Sequence, residues 1–276
     1  MTALRIATCV QLPEPDTDEP LLAAALSAAG IDATLVGWDD PDADWDAPIP
    51  TVLRSTWNYV RALPAFLTWL DRAARAAPLW NPPDVVRGNV RKRYLLELAA
   101  RGVAVVPTRL VEHGETVELR ERSVIKPEVG AGSFLTRALD PGDPDIAAHI
   151  ALVTAHSAAL VQPYIQSVHD YGERSIVFID GELTHAIRKT PRFSGGVEAI
   201  TGPHPIADDE RALAEAALAP MRDRLLYGRV DIARDDAGRP MIMELELVEP
   251  SLFFGKSPAA LDRFIAALQR RMAERA

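Results

Sequence analysis

Apolar positions recur along the chain at two spacings, and the alternation between them lays out most of the elements. Short apolar runs at 4–10, 31–36 and 51–54 read as strands. Between them, 21–29 reads as a helix closed by Gly30, a residue suited to the left-handed step after a helix. Leu63, Phe66, Leu67 and Leu70 then keep the i, i+3, i+4, i+7 spacing of a second helix. Strands alternating with helices predict a parallel, doubly wound α/β sheet, whose ligands lie at the carboxyl ends of the strands. The polar and aromatic run Arg54-Ser55-Thr56-Trp57-Asn58-Tyr59 falls at such an end, where it serves either as a substrate contact or as a structural loop. The proline-rich stretch 79–83 marks a boundary.

Downstream the pattern changes. A basic helix is expected over 89–101, with Leu95, Leu96 and Leu98 for packing, and a strand over 103–106. Residues 116–160 read as an exposed hairpin and helix around Val124-Ile125-Lys126-Pro127. A strand over 160–165 ends in Gln162-Pro163-Tyr164-Ile165, and 175–179 with 183–189 form a hairpin about Asp180-Gly181. Residues 192–202 read as a loop and 208–226 as a helix, with Leu213, Ala217, Met221 and Leu225 on one side. An amphipathic helix over 258–275 closes the chain through Leu261, Phe264, Ile265, Leu268 and Met272.

The most informative stretch is 227–254, a β-hairpin about a turn at 236–239. Period-two alternation puts Met241, Met243, Leu245 and Leu247 on one face and Glu244 and Glu246 on the other. With that turn, Asp231 lies opposite Glu244 and Arg229 opposite Glu246. Like charges facing each other across strands are unfavourable, so a hairpin built only for stability would avoid them. Carboxylates that share a face suit a hard divalent ion such as Mg²⁺, held together with phosphate oxygens. The plainer alternative, a solvated acidic face, fits less well with the near-continuous apolar run around it.

Composition narrows the partners. The chain has 276 residues, net charge −9 and one cysteine. It is long enough for two domains or one large one. The negative balance disfavours nucleic acid and anionic membranes as main partners, while leaving room for a small anion in a locally basic site. Lone Cys9 excludes an intrachain disulfide and fits a reducing cytoplasm. No run approaches the ~20 apolar residues of a membrane helix.

Several residues could carry chemistry. Lys126 ends a strand just before a loop with Gly130 and Gly132, where backbone N–H groups can approach phosphate, although this is not a Walker A loop. Lys92, between Arg91 and Arg93, is either a ligand contact or part of a solvated helical face. Glu173 could bind ribose hydroxyls or stand at an ordinary strand end. His185 has no nucleophile with a positioned acid, and His113, His149 and His156 lack metal-ligand spacing.

Taken in order, these motifs resemble the ATP-grasp ligases, in the branch of glutathione synthetase and D-alanine–D-alanine ligase. The resemblance covers roughly residues 81–255. LRSTWNY, WNP, KRYLLELAARGV and ELELVEPSLFF look most like the O-ureido-serine cyclo-ligase of D-cycloserine biosynthesis and its relatives. It implies an ATP-grasp fold (α/β, with α+β character) over 83–164, including a lid, and over 165–276, preceded by a small α/β domain at 1–82. It further implies an ATP- and Mg²⁺-dependent, ADP-forming ligase acting on an amino-acid-like substrate through an acylphosphate, and leaves room for intramolecular ring closure and for a homodimer.

Residue by residue, the resemblance casts Lys92 and Lys126 as nucleotide-contacting lysines and 128–134 as the lid loop. Gln162, Tyr164 and Ile165 belong to the adenine hinge, Glu173 to ribose, and Lys189 to phosphate. Arg229 is the arginine at the tetrahedral intermediate, and Asp231, Glu244 and Glu246 are the metal ligands. The family often has Glu-x-Asn where this chain has Glu244-x-Glu246, which adds a negative charge. A nucleotide-binding regulatory protein with a decayed site, or a small-molecule kinase on the same fold, are the alternatives to a ligase.

Overall fold

The computed structural model describes residues 2–190 and 199–274. The first alternating stretch forms β1 (Thr2–Thr8), α1 (Glu19–Ala28), β2 (Ile31–Gly37), β3 (Thr51–Leu53), α2 (Leu63–Ala76) and β4 (Leu79–Trp80). Its strands make a parallel sheet in the order β2-β1-β3-β4. Gly30 follows α1 at φ +73°, the conformation that favours glycine there. Leu63, Phe66 and Leu70 of α2 are buried together with Trp69 and Ala73, as the spacing requires.

The expected helix over 89–101 is two helices, α3 (Pro83–Asn89) and α4 (Tyr94–Ala100). The break follows from Gly88 and Asn89, both poor helix formers, and from where the Asn89 side chain is used. Its amide donates to the Leu245 carbonyl (2.8 Å) and accepts from the Leu247 N–H (2.7 Å), far along the chain. Arg91, Lys92 and Arg93 therefore lie in a turn rather than around a helix. The expected strand at 103–106 is a single parallel bridge, Val105 to Ile242, because only that short extended piece reaches the edge strand.

Next come β5 (Arg109–Val111), β6 (Ser123–Pro127), β7 (Arg137–Leu139), α5 (Ile146–Thr154) and β8 (Ala159–Pro163), an antiparallel sheet ordered β5-β8-β6-β7. The hairpin expected to be exposed is not. Ile125, Lys126 and Glu128 are all buried, Ile125 among Val111, Leu139 and Val153 and Glu128 against the turn that holds Lys92.

After the short α6 (Gln166–Asp170), the chain forms β9 (Glu173–Ile179), β10 (Glu182–Lys189), β11 (Ile200–His204), α7 (Asp208–Leu218), β12 (Tyr227–Arg234), β13 (Pro240–Glu246) and α8 (Pro258–Ala273). These strands make an antiparallel sheet, β11-β10-β9-β12-β13. Of the loop expected over 192–202, residues 192–198 lie outside the described residues, and the remainder leads into β11. Helix α7 stops at Leu218, well short of 226, because Pro220 supplies no N–H and disfavours helix at the residue before it.

One face of this sheet (Ile176, Phe178, Val230, Ile232, Leu245) packs on Leu213, Ala217 and Leu218 of α7. On the other, Val177, Ile179 and Tyr227 meet Leu4 of β1, Leu22 and Leu26 of α1, and Phe264 and Leu268 of α8. The carboxyl ends of β1 and β3 are thereby set against the segment after β13.

Buried polar groups fasten that junction. The Asp18 carboxylate accepts the N–H groups of Leu252 (2.6 Å), Phe253 (3.0 Å) and Phe254 (2.8 Å). It also pairs with Arg54 at 3.3 Å, and both side chains are 2% exposed. Removing one partner of a buried pair strands the other charge, so Asp18→Ala should cost about 3–5 kcal/mol in chemical denaturation. Breaking the exposed Arg72–Asp46 pair by Asp46→Ala should change stability very little. Equal effects from the two changes would remove Asp18 from its place in this account.

Candidate active site

The hairpin register is the one the sequence predicts: Arg229 pairs with Glu246 and Asp231 with Glu244. Beyond that point β13 carries one extra residue, so Ile232 faces Ile242. Such a bulge resets the alternation. Ile242, rather than Met241 or Met243, therefore fills the core with Leu245, which corrects the face expected from strict period-two alternation.

The face with Asp231, Glu244 and Glu246 does not stand in mutual repulsion, because cations are interleaved with it. Arg229 donates from Nε and Nη2 to the two Asp231 oxygens, each at 2.9 Å, and from Nη2 also to Glu246. Its Nη1 holds the Ser251 carbonyl at 3.1 Å, and its guanidinium lies 5.5 Å from the Phe253 ring. Lys189 Nζ, from the end of β10, bridges Glu173 (2.8 Å) and Asp231 (2.9 Å). Lys126, from the end of β6, donates to Glu244 at 2.7 Å. Lys92, from the α3–α4 turn, lies 3.7 Å from Glu244 and donates to the Gly130 carbonyl at 2.6 Å.

Burial would raise the Glu244 carboxyl, but Lys126 and Lys92 override it and hold it down at about 2. Asp231 is likewise kept well below the carboxylate range, with Arg229 and Lys189 outweighing burial. Glu173 moves the other way. Burial lifts it, Lys189 only partly restrains the rise, Asp231 adds to it, and it reaches about 8. Glu246 is also raised, by burial that Arg229 only partly offsets. One sheet face thus holds carboxylates in two charge conditions.

Eight of the expected residues are gathered here: Lys92, Lys126, Glu173, Lys189, Arg229, Asp231, Glu244 and Glu246. The partners of Gln162 and Tyr164 among the described residues lie elsewhere. Gln162 is buried on β8 opposite Val124 and donates to the Thr108 hydroxyl at 2.8 Å. Tyr164 stacks under Arg122 (4.4 Å), and Ile165 begins α6. Glu128, expected to open a lid over phosphate, is fully buried and paired with Arg91 and Arg93, so it anchors the loop. Among the described residues, no three His, Cys, Asp or Glu side chains converge as metal ligands. The donor chemistry nevertheless fits a hard cation, since Glu244 and Glu246 offer carboxylate oxygens two residues apart on one strand.

Sequence reasoning missed Asp18, Tyr94 and Glu249, and left Arg54 and Tyr59 open between a substrate contact and a structural loop. The Tyr94 hydroxyl accepts the Leu245 N–H at 3.0 Å. Trp57 Nε1 and Arg54 hold the carbonyls of Glu249 (3.0 Å) and Pro250 (2.9 Å). Only Arg54, Trp57 and Tyr59 carried a signal, as a polar and aromatic run at a strand's carboxyl end.

Comparison with known proteins is consistent with this geometry. Residues 4–81 match the family described as the N-terminal domain of D-cycloserine synthetase DcsG. The cycloserine biosynthesis protein DcsG of Streptomyces lavendulae is 33% identical over 293 residues, covering 97% of each chain. The crystal structure of D-cycloserine synthetase DcsG superposes with a TM-score of 0.87 at 31% identity, over 98% of this chain and 99% of that one. The ATP-grasp ligase PsnB, solved with a precursor variant, Mg and ADP, shares the fold at 19% identity and a TM-score of 0.64, over 97% and 99% of the two chains. A charge-matched hairpin face, set against a parallel sheet and spanned end to end by these likenesses, places the chain in the ATP-grasp ligase family, as a relative of D-cycloserine synthetase.

Proposed function

We propose that this ligase uses ATP and Mg²⁺ to join the carboxylate of an amino-acid-like substrate to that substrate's own amine, closing a ring and releasing ADP and phosphate. The observation that carries the reading is the interleaved face of β12 and β13. Three lysines and one arginine from separate elements converge on Glu173, Asp231, Glu244 and Glu246. Anionic phosphates bring negative charge to the lysines, and a divalent ion brings positive charge to the carboxylates. Bound together, each supplies the counter-charge that the other displaces.

In this reading Lys92, Lys126 and Lys189 hold phosphate oxygens, and Glu173 takes ribose hydroxyls. Residues 162–165 border the base, and the loop 128–134 covers the phosphates. Glu244 and Glu246 would hold the ion first, because both Asp231 oxygens are committed to Arg229 and Lys189. An ion held there would supply positive charge to screen the phosphates. The substrate carboxylate takes the γ-phosphoryl group, and its bond to ADP breaks. The amine then forms a C–N bond at the activated carbonyl, and phosphate leaves with the C–O bonding pair. Arg229 stabilises the oxyanion that develops. A divided chain (1–82, 83–164, 165–276) and a cytoplasmic setting belong to the same proposal, alongside the observation that no described helix is long and apolar enough to cross a membrane.

The relatives' product name suggests the substrate class. Opening the ring amide of D-cycloserine leaves O-amino-D-serine, which is the O-ureido-serine of the sequence resemblance without its carbamoyl group, an amino acid whose aminooxy nitrogen can reach its own carboxylate. Incubation of the enzyme with ATP, Mg²⁺ and this compound should yield ADP, phosphate and the cyclic product. Hydroxylamine should intercept the acylphosphate as a hydroxamate; release of AMP and pyrophosphate would overturn the route. A hydrogen bond to a charged group is worth roughly 1.5–3 kcal/mol, so Lys126→Ala should weaken MgATP binding about ten-fold or more in a thermal-shift titration. Unchanged affinity would remove Lys126 from the phosphate site.

Glu244→Gln should abolish most turnover and also destabilise the nucleotide-free protein, because it strands Lys126 and Lys92. The sign follows from the depressed carboxyl. Stability from ionised Glu244 is present above its unfolded value near 4.5 and is lost as pH falls toward about 2. The melting-temperature gap between parent and variant should thus be full at pH 7 and shrink through that window. A variant as stable as the parent at pH 7 would mean the lysines do not depend on Glu244.

A further inference from the structure

Glu249 is the carboxylate in this region that the charge matching leaves out. Glu173, Asp231, Glu244 and Glu246 each have a lysine or arginine within ion-pair distance. Among the described residues Glu249 forms no such pair, although Lys92 and Arg229 act on it from further off. Glu246, whose charge opposes its own, and the buried Tyr59 phenol lie near enough to act on it. The thiol of Cys9, at the end of β1, is close enough to feel its charge. Without a counter-charge the half-buried carboxyl is pushed up to about 8, by burial first and by Glu246 next.

Its position is fixed with unusual care. Three successive carbonyls are held by side chains from other elements: Glu249 by Trp57 (3.0 Å), Pro250 by Arg54 (2.9 Å) and Ser251 by Arg229 (3.1 Å). The next three N–H groups belong to Asp18. Glu249 is thereby pinned where the carboxyl ends of β1 and β3, the expected ligand edge of a parallel sheet, meet the charged face. A carboxylate partly withdrawn from water is ordinarily paired with a cation. Among the described residues Glu249 has a fixed backbone and an adjacent like charge, but no cation within ion-pair distance.

We infer that Glu249 recognises the ammonium group of the substrate and so makes the enzyme selective for amino acids over otherwise identical carboxylic acids. The inference rests on the ligase reading and deepens it. The ammonium would supply Glu249 with the counter-charge that no described lysine or arginine gives it at ion-pair distance, and the pinned backbone would hold the carboxylate in place to receive it. With the ammonium held there, the substrate carboxylate is directed toward Arg229 and the phosphate-binding lysines.

Two probes isolate the effect: O-methyl-D-serine, which has the ammonium but lacks the aminooxy nucleophile, and 3-methoxypropanoate, the same skeleton without the ammonium. Each is incubated with ATP, Mg²⁺ and hydroxylamine, and hydroxamate and ADP are measured. Wild type should favour O-methyl-D-serine by about 100-fold or more in kcat/KM, as expected of a site built around a charged group. Glu249→Gln should reduce that preference to less than about ten-fold, mainly through KM for the ammonium-bearing probe, while MgATP still raises Tm as in the parent. Glu249→Asp should recover part of the preference. Equal loss on both probes, or a preserved preference, would overturn the inference. If wild type makes hydroxamate from neither probe, the ligase reading itself fails and the inference falls with it.

Discussion

Arg229 is the charge on which the site depends. It grips both oxygens of Asp231, reaches Glu246 across the hairpin and holds the Ser251 carbonyl, all from a buried position. Without it, carboxylates facing one another in a poorly hydrated place would repel or take up protons. With Lys189, Lys126 and Lys92 added, the face reaches near-neutral pairing by ionic contacts whose partners come from separate elements. Such pairing is readily exchanged. Phosphate oxygens can take over lysines from carboxylates, and a divalent ion can take over carboxylates from lysines. In the proposed function, a surface arranged in this way would accept a charged ligand pair without leaving charge unpaired.

The same economy explains the junction. Asp18 at the start of α1 and Arg54 just after β3 organise the segment after β13 through its backbone. Backbone contacts of this kind fix position independently of the side chains on that segment, leaving Glu249 available for a ligand. The first sheet thus does two things. It presents the open carboxyl ends of its strands, and it sets the distance between them and the charged hairpin. Tyr227 ties the two together further, its hydroxyl lying 2.8 Å from the Leu53 carbonyl and 2.9 Å from that of Val248.

Much of this was legible in the sequence, and what was not has physical causes. The register that sets Asp231 against Glu244 agrees with the reading, but the turn spans 235–239 rather than 236–239 and the bulge makes up the one-residue difference. The bulge itself was not legible, because an extra residue leaves no mark in a run as uniformly apolar as Met241-Ile242-Met243. Strand and helix order in the first eighty residues could be read because local period and burial agree there. The break at 90–93 escaped because Asn89 is used by Leu245 and Leu247, contacts 156 and 158 residues away. Glu128 looked like part of a phosphate loop since glycines follow it; its burial against Arg91 and Arg93 is a tertiary fact. Asp18 and Glu249 were invisible for the same reason. Each is a common acidic residue whose meaning comes only from what the fold places beside it.

The central claim is that lysines and a divalent ion exchange partners on this face, so metal and nucleotide should bind as a pair. Calorimetric titration of wild-type protein with Mg²⁺, with ATP, and with Mg²⁺ in the presence of ATP tests it most directly. The account predicts weak binding of Mg²⁺ alone, since Lys126 and Arg229 already satisfy Glu244 and Glu246, weak binding of metal-free ATP, and affinity at least ten-fold tighter for the two together. Tight binding of Mg²⁺ without nucleotide, or ATP affinity independent of the ion, would contradict it.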